Sequence, residues 1–197
     1  MKRVTIYLVV LILAVFLGLY FISLKTKSPP EEVAQTVINL EDNPIIMELK
    51  SSAFEDGGVI PSKYTCDGGN INPPLSITGV PEDAKSLVII MDDHDVPKSV
   101  RSDGVWDHWV VFNIPPNLNV INEGEKITGI YGKTSGGKTE YGGPCPPDRE
   151  HRYMFYLYAL DGELSLPSGS TKSEVLNAMN GHILEKTTLV GKYNRKR

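Results

Sequence analysis

Three apolar runs with the length of strands constrain this chain most, because each is joined at one end to a polar cluster. Leu87-Val88-Ile89-Ile90-Met91 runs into Asp93-His94-Asp95-Val96-Pro97. Trp109 to Ile114 starts from Trp106-Asp107-His108 and stops at Pro115-Pro116. Tyr153 to Leu160 starts from His151-Arg152, shortly after Gly142-Gly143-Pro144-Cys145-Pro146-Pro147, and stops at Asp161-Gly162. Short runs rich in β-branched and aromatic residues, bounded by turn residues, read as strands of a covered sheet. Met47, Leu49 and Ser51 alternate with Glu48 and Lys50, the pattern of a half-buried strand, and Thr187 to Tyr193 reads as a last one. Helix is scarce. Thr171-Lys172-Ser173-Glu174 has the form of a capping box, with Val175, Leu176 and Met179 forming one apolar face behind it. The 14 prolines and 18 glycines fall mostly between the strands, which predicts a mainly β domain with long loops and one or two short helices.

The amino terminus differs in kind. Val4 to Leu24 carries no charge. A helix of about 21 residues, at about 1.5 Å each, just crosses a hydrocarbon core of about 30 Å. A secretory signal has a shorter apolar core, about 7–15 residues, and a small-x-small cleavage site. Gly18 to Leu24 offers only a weak site of that kind. Residues 1–27 are therefore expected to be a membrane anchor, with a cleaved signal as the alternative. Residues 28–44 form a linker broken by Pro29-Pro30 and Asn43-Pro44, and 45–197 the globular domain. Lys2 and Arg3 precede the span and Lys25 and Lys27 follow it, so flanking charge barely orients it. A chain that opens with a span and then folds is usually exported behind it, which places the domain on the extracytoplasmic side, or free there after cleavage.

The net charge of -4 argues against a nucleic-acid partner. Outside the cytoplasm a Cys66–Cys145 bridge is permitted. Two unpaired thiols remain the other reading, because sequence does not give their distance.

Asp93 and Asp95, two apart on an extended backbone, face the same way. Two such carboxylates need a positive group or a proton between them. His108 is the candidate, and a carboxylate beside it favours imidazolium. Imidazolium with backbone N–H groups receives an anion such as phosphate. Gly142 and Gly143 permit close backbone approach, and Tyr153 offers a phenolic donor. Zinc is a second reading, but the chain has no His-Glu-x-x-His and no paired Cys-x-x-Cys. A hydrolase is a third. There is no Gly-x-Ser-x-Gly, although Cys145 near His151 could form a thiol–imidazole pair. Gly136-Gly137-Lys138-Thr139 has only the end of a phosphate loop, and no cofactor is expected.

Taken in order, Asp93-x-Asp95-x-Pro97, then Trp106-Asp107-His108-Trp109 through Pro115, then Tyr141-Gly142-Gly143-Pro144 and His151-Arg152-Tyr153 resemble the phosphatidylethanolamine-binding protein (PEBP) family, known also for Raf kinase inhibitor proteins. Tyr64-Thr65-Cys66-Asp67-Gly68, Pro73-Pro74-Leu75 and Tyr158-Ala159-Leu160-Asp161 are similar to its prokaryotic branch. The resemblance covers Met47 to Tyr193. It implies a PEBP-like β-sandwich, a large antiparallel β-sheet packed against a smaller sheet, with few short helices. It also implies a non-catalytic pocket for a small anion, phosphate or a phospholipid head group. The ligand set carried over is Asp93, Asp95, Trp106, His108, Gly143, His151 and Tyr153, with a cis bond at Pro73-Pro74. Eukaryotic members inhibit kinases or serine proteases, so a protein target is the alternative partner. This chain has His94 where the family usually has proline, and only a few residues after Tyr193, so a more open pocket is expected.

Overall fold

Two sheets form, and the apolar runs decide which strands are central. The computed structural model describes residues 46–195. Strands β1 (Glu48–Lys50), β3 (Leu75–Thr78) and β6 (Val120–Ile121) make a small sheet in the order β1-β3-β6. Strands β2 (Gly58–Val59), β4 (Ser86–Asp93), β5 (Trp106–Ile114), β7 (Ile130–Tyr131), β8 (His151–Leu160) and β9 (Ile183–Tyr193) make the large one, in the order β2-β9-β8-β4-β5-β7. Every residue of β4 is buried, which is why it reads as an unbroken apolar run rather than an alternating one. Leu87, Ile89 and Met91 face the core shared with the small sheet, alongside Trp109, Val111, Phe155 and Leu157. Val88 and Ile90 face the other way, with Val110 and Phe112, against the helix α1 (Lys172–Met179) through Val175 and Met179. Each such side chain contributes about 1.5–3 kcal/mol on full burial.

Helix α1 starts where its capping box lies. Thr171 accepts from the Glu174 amide, and the Glu174 carboxylate accepts from the Thr171 amide at 2.7 Å. Two features depart from the expectations. The large sheet is antiparallel except at one edge, where β2 pairs with β9 in parallel over two residues. All described peptide bonds are trans, so the cis bond implied at Pro73-Pro74 is absent, trans being the lower-energy form of an X–Pro bond.

Strand β5 carries one extra residue at each end relative to β4. Near its carboxyl end Leu87 pairs Ile114 and Ile89 pairs Val111. Asn113 absorbs the mismatch with φ of 53°, a conformation asparagine tolerates. Its side-chain amide bonds both backbone groups of Leu164, at 3.0 and 2.8 Å. The second irregularity shapes the candidate site. The apolar segment 4–24 and the linker lie outside the described residues. Among the described residues no helix is long and apolar enough to cross a membrane.

Candidate functional site

Strand β4 ends where β5 and β8 begin, so the three polar clusters meet at one end of the large sheet. Asp93 stands opposite Trp106 on one side and Tyr153 on the other. Between them β5 bulges: Met91 pairs Trp109 and Asp92 pairs Asp107, leaving His108 without a partner in β4. A bulge re-aims the side chain it inserts. Asp107 stays on the helix side with Asp92, while His108 turns to the other face, edge-on to the Tyr153 ring at 5.2 Å.

His108 there lines a cavity of about 380 Å³. Asp93, Trp106, Gly143 and Cys145 line it too, and Val96, Val100 and Pro147 add apolar wall. The Nδ1 atom of His108 lies 2.7 Å from the Gly142 carbonyl. A carbonyl only accepts, so Nδ1 carries the proton and Nε2 is left for a ligand. Burial holds the His108 pKa below its ordinary value, outweighing the Gly142 carbonyl and the carboxylates of Asp93, Asp107 and Asp92. The ring is therefore a neutral imidazole near neutral pH rather than the imidazolium that its carboxylate neighbours suggest. Tyr153 is fully buried, and its hydroxyl lies beside the Cys145 backbone amide without a hydrogen bond of good geometry. Burial first, then Asp93, raises its pKa, so the hydroxyl keeps its proton and remains a donor.

Of the expected ligand set, Tyr153, His151 and Asp95 lie off the cavity surface, Tyr153 just behind His108. His151 is fully buried, with Nδ1 2.6 Å from Asp93 Oδ2 and Nε2 2.7 Å from Asp148 Oδ1. Both ring nitrogens are therefore engaged by carboxylates of the protein rather than by the cavity. The bond to His151 lowers the Asp148 pKa. Both oxygens of Asp93 are engaged within the protein, since Oδ1 accepts from the Asp95 amide at 2.7 Å. Asp95 is gripped by Arg152, with Nε 2.8 Å from Oδ2 and Nη2 2.9 Å from Oδ1. That pair brings the Asp95 pKa down to about 2. A depressed carboxylate pKa adds stability that is complete above the unfolded value, about 3.9, and is lost as pH falls through the folded one. Asp95 is thus a structural tie between two loops.

Gly143 lines the cavity, but its amide already donates to Asn70 Oδ1 at 2.7 Å. A Cβ on Gly143 would lie 2.5 Å from the Tyr64 carbonyl oxygen, which is why glycine stands there. The loop carrying Tyr64 to Asn70 is joined to this wall by a Cys66–Cys145 disulfide, with Cα atoms 5.4 Å apart. Spacing alone offers Cys145 as a bridge or a nucleophile. As a disulfide partner it has no thiol for the thiol–imidazole pair. On the opposite face of the sheet lies a cluster the sequence did not signal. Lys172 Nζ sits 2.9 Å from Asp92 Oδ2 and 2.5 Å from Asp107 Oδ1, and His94 Nε2 lies 2.9 Å from Asp92 Oδ1. Burial pulls the Lys172 pKa down, and the two carboxylates more than reverse it. His94 therefore points away from the cavity, at a buried carboxylate. Among the described residues no group of His, Cys, Asp and Glu side chains is arranged to hold a metal ion.

The profile of the phosphatidylethanolamine-binding protein family matches residues 50–194. A UPF0098 protein of Chlamydia trachomatis is 50% identical over 149 residues, covering 76% of this chain and 99% of that protein. One from Methanothermobacter thermautotrophicus is 50% identical over 155 residues, with the same coverage. The crystal structure of a PEBP homolog from Chlamydia trachomatis aligns with a TM-score of 0.76 at 49% identity, covering 77% of this chain and 99% of that one. That of Escherichia coli YbcL, described as a member of the mammalian PEBP family, aligns with a TM-score of 0.69 at 27% identity, over 76% and 99% of the two chains. This chain belongs to the phosphatidylethanolamine-binding protein family.

Proposed function

We propose that this protein is a non-enzymatic binding protein whose pocket takes a small phosphorylated ligand, of the size of a phospholipid head group, on the extracytoplasmic side of a membrane. One observation carries the reading: the bulge in β5 turns His108 into a cavity beside a buried donor, the Tyr153 hydroxyl, that lacks a good partner. An unsatisfied buried hydroxyl costs about 1–3 kcal/mol, and a phosphate oxygen would satisfy it. Trp106 and the valine wall would pack against the uncharged part of the ligand.

Binding should carry a proton. His108 starts neutral, and an anion next to Nε2 raises its pKa, so the imidazole takes up a proton as the anion arrives. Affinity is therefore expected to fall as pH rises, until the bound histidine has lost that proton. An NMR titration of the unit Pro44–Arg197 tests both points. Phosphate and O-phosphorylethanolamine at millimolar concentration should move the His108 and Tyr153 signals, and sulfate, which does not titrate here, should show the pH dependence. Unmoved His108 signals reject the pocket assignment, and an affinity flat from about pH 5.5 to 8.5 rejects proton uptake.

The apolar span 4–24 supports the location. Protein extracted from membranes should have an intact mass that includes residues 1–27. A mass lacking them means that the span is a cleaved signal.

A further inference from the structure

We infer that Cys145 is a positioning residue of the pocket, acting through Tyr153, and that its bond to Cys66 is the latch that keeps the pocket competent. The inference rests on the head-group reading above and adds a redox condition to it.

Cys145 stands at a junction. It lines the cavity, its backbone amide lies beside the Tyr153 hydroxyl, and its sulfur reaches across to the loop carrying Tyr64 to Asn70. Pro144, Pro146 and Pro147 have no N–H. Cys145 therefore holds the one backbone donor between Gly143 and Asp148, and that donor sits next to the unpaired hydroxyl. That amide is directed at the hydroxyl oxygen and so orients the hydroxyl, whose own proton is the donor an anion oxygen needs.

Three hydrogen bonds cross between this wall and the opposite loop: Cys66 N–H to the Pro144 carbonyl at 3.1 Å, Gly143 N–H to Asn70 Oδ1 at 2.7 Å, and the Tyr141 hydroxyl to the Tyr64 carbonyl at 3.0 Å. None of them bonds Cys145 itself. The covalent bridge does. Both cysteines are exposed, so a reagent in solution can reach the bridge, and exposed disulfides are the more readily exchanged ones. One thiolate of a dithiol reductant attacks one sulfur, forming a mixed disulfide and releasing the other cysteine as thiolate. The second thiol of the reductant then closes its own disulfide and releases the remaining cysteine. Two electrons and two protons pass to the protein, and the dithiol is oxidised. The apolar core between the sheets does not depend on this bond, but the position of the Cys145 amide does.

The test compares three forms of the unit Pro44–Arg197: oxidised, reduced with dithiothreitol, and reoxidised. Inorganic phosphate is titrated into each, with Tyr153 and His108 signals as readout and strand amide dispersion reporting the fold. The expected result is a phosphate affinity lower by about tenfold or more in the reduced form, with strand signals retained, and recovery on reoxidation. Cys66→Ser, which keeps Cys145 and its amide, should match the reduced form. Equal affinity in oxidised and reduced protein overturns the latch and leaves the head-group reading standing. Loss of strand dispersion on reduction also overturns it, because the bridge is then a fold staple. An oxidised protein that does not bind phosphate removes the head-group reading and this inference with it.

Discussion

His151→Ala is expected to cost about 3–5 kcal/mol of folding stability, the usual penalty for leaving a buried carboxylate without its partner. The side chain of Asp93 is only 4% exposed, and one of its oxygens is held by His151 alone among its side-chain partners. Asp148 would lose its bond as well, and with it the anchor of the segment that leads into β8. Urea unfolding measures the effect as a lower midpoint at unchanged slope. His108→Ala gives the contrast. It should change phosphate binding far more than stability, since its ring nitrogens face one carbonyl and the cavity. If His151→Ala leaves the midpoint within about 1 kcal/mol of the parent and abolishes binding instead, then His151 is a ligand residue and the buried-pillar account is wrong.

Tyr153→Phe is expected to act in the opposite sense. It deletes a hydroxyl that has no good partner in the protein, so stability should be unchanged or slightly higher, within about 1 kcal/mol. The ring stays, and with it the edge contact to His108. A hydrogen bond to a charged group is worth about 1.5–3 kcal/mol, so phosphate affinity should drop roughly 10- to 100-fold. Calorimetry of binding and of unfolding on the same samples separates the two. Unchanged affinity would remove Tyr153 from the site.

The two substitutions also mark where reading the chain alone loses resolution. His151 and Tyr153 sit two apart on β8 and point to the same face, so pattern alone gives them the same role. Their difference comes from neighbours distant in sequence. Asp93 and Asp148 enclose one, and His108 and Cys145 stand beside the other. Asp93 and Asp95 share a face for the same local reason. The turn after β4 separates them, since Asp93 bonds the Asp95 amide and Asp95 turns out to Arg152.

What the chain determines by itself is local. The unbroken apolar run of β4 requires cover on both faces, the capping box starts α1 at Thr171, and three polar clusters abut three strand ends. These follow from burial and backbone hydrogen bonding over a few residues, and the motif order adds the family. The tertiary structure alone decided three further things. A one-residue bulge put His108 and Trp109, adjacent in sequence, on the same side of the sheet. The approach of two loops brought Cys66 within 5.4 Å of Cys145, 79 positions away. Burial holds the His108 pKa down, against what its carboxylate neighbours would suggest. All three depend on cross-strand register and desolvation, which are properties of the packed sheet and not of any segment in it.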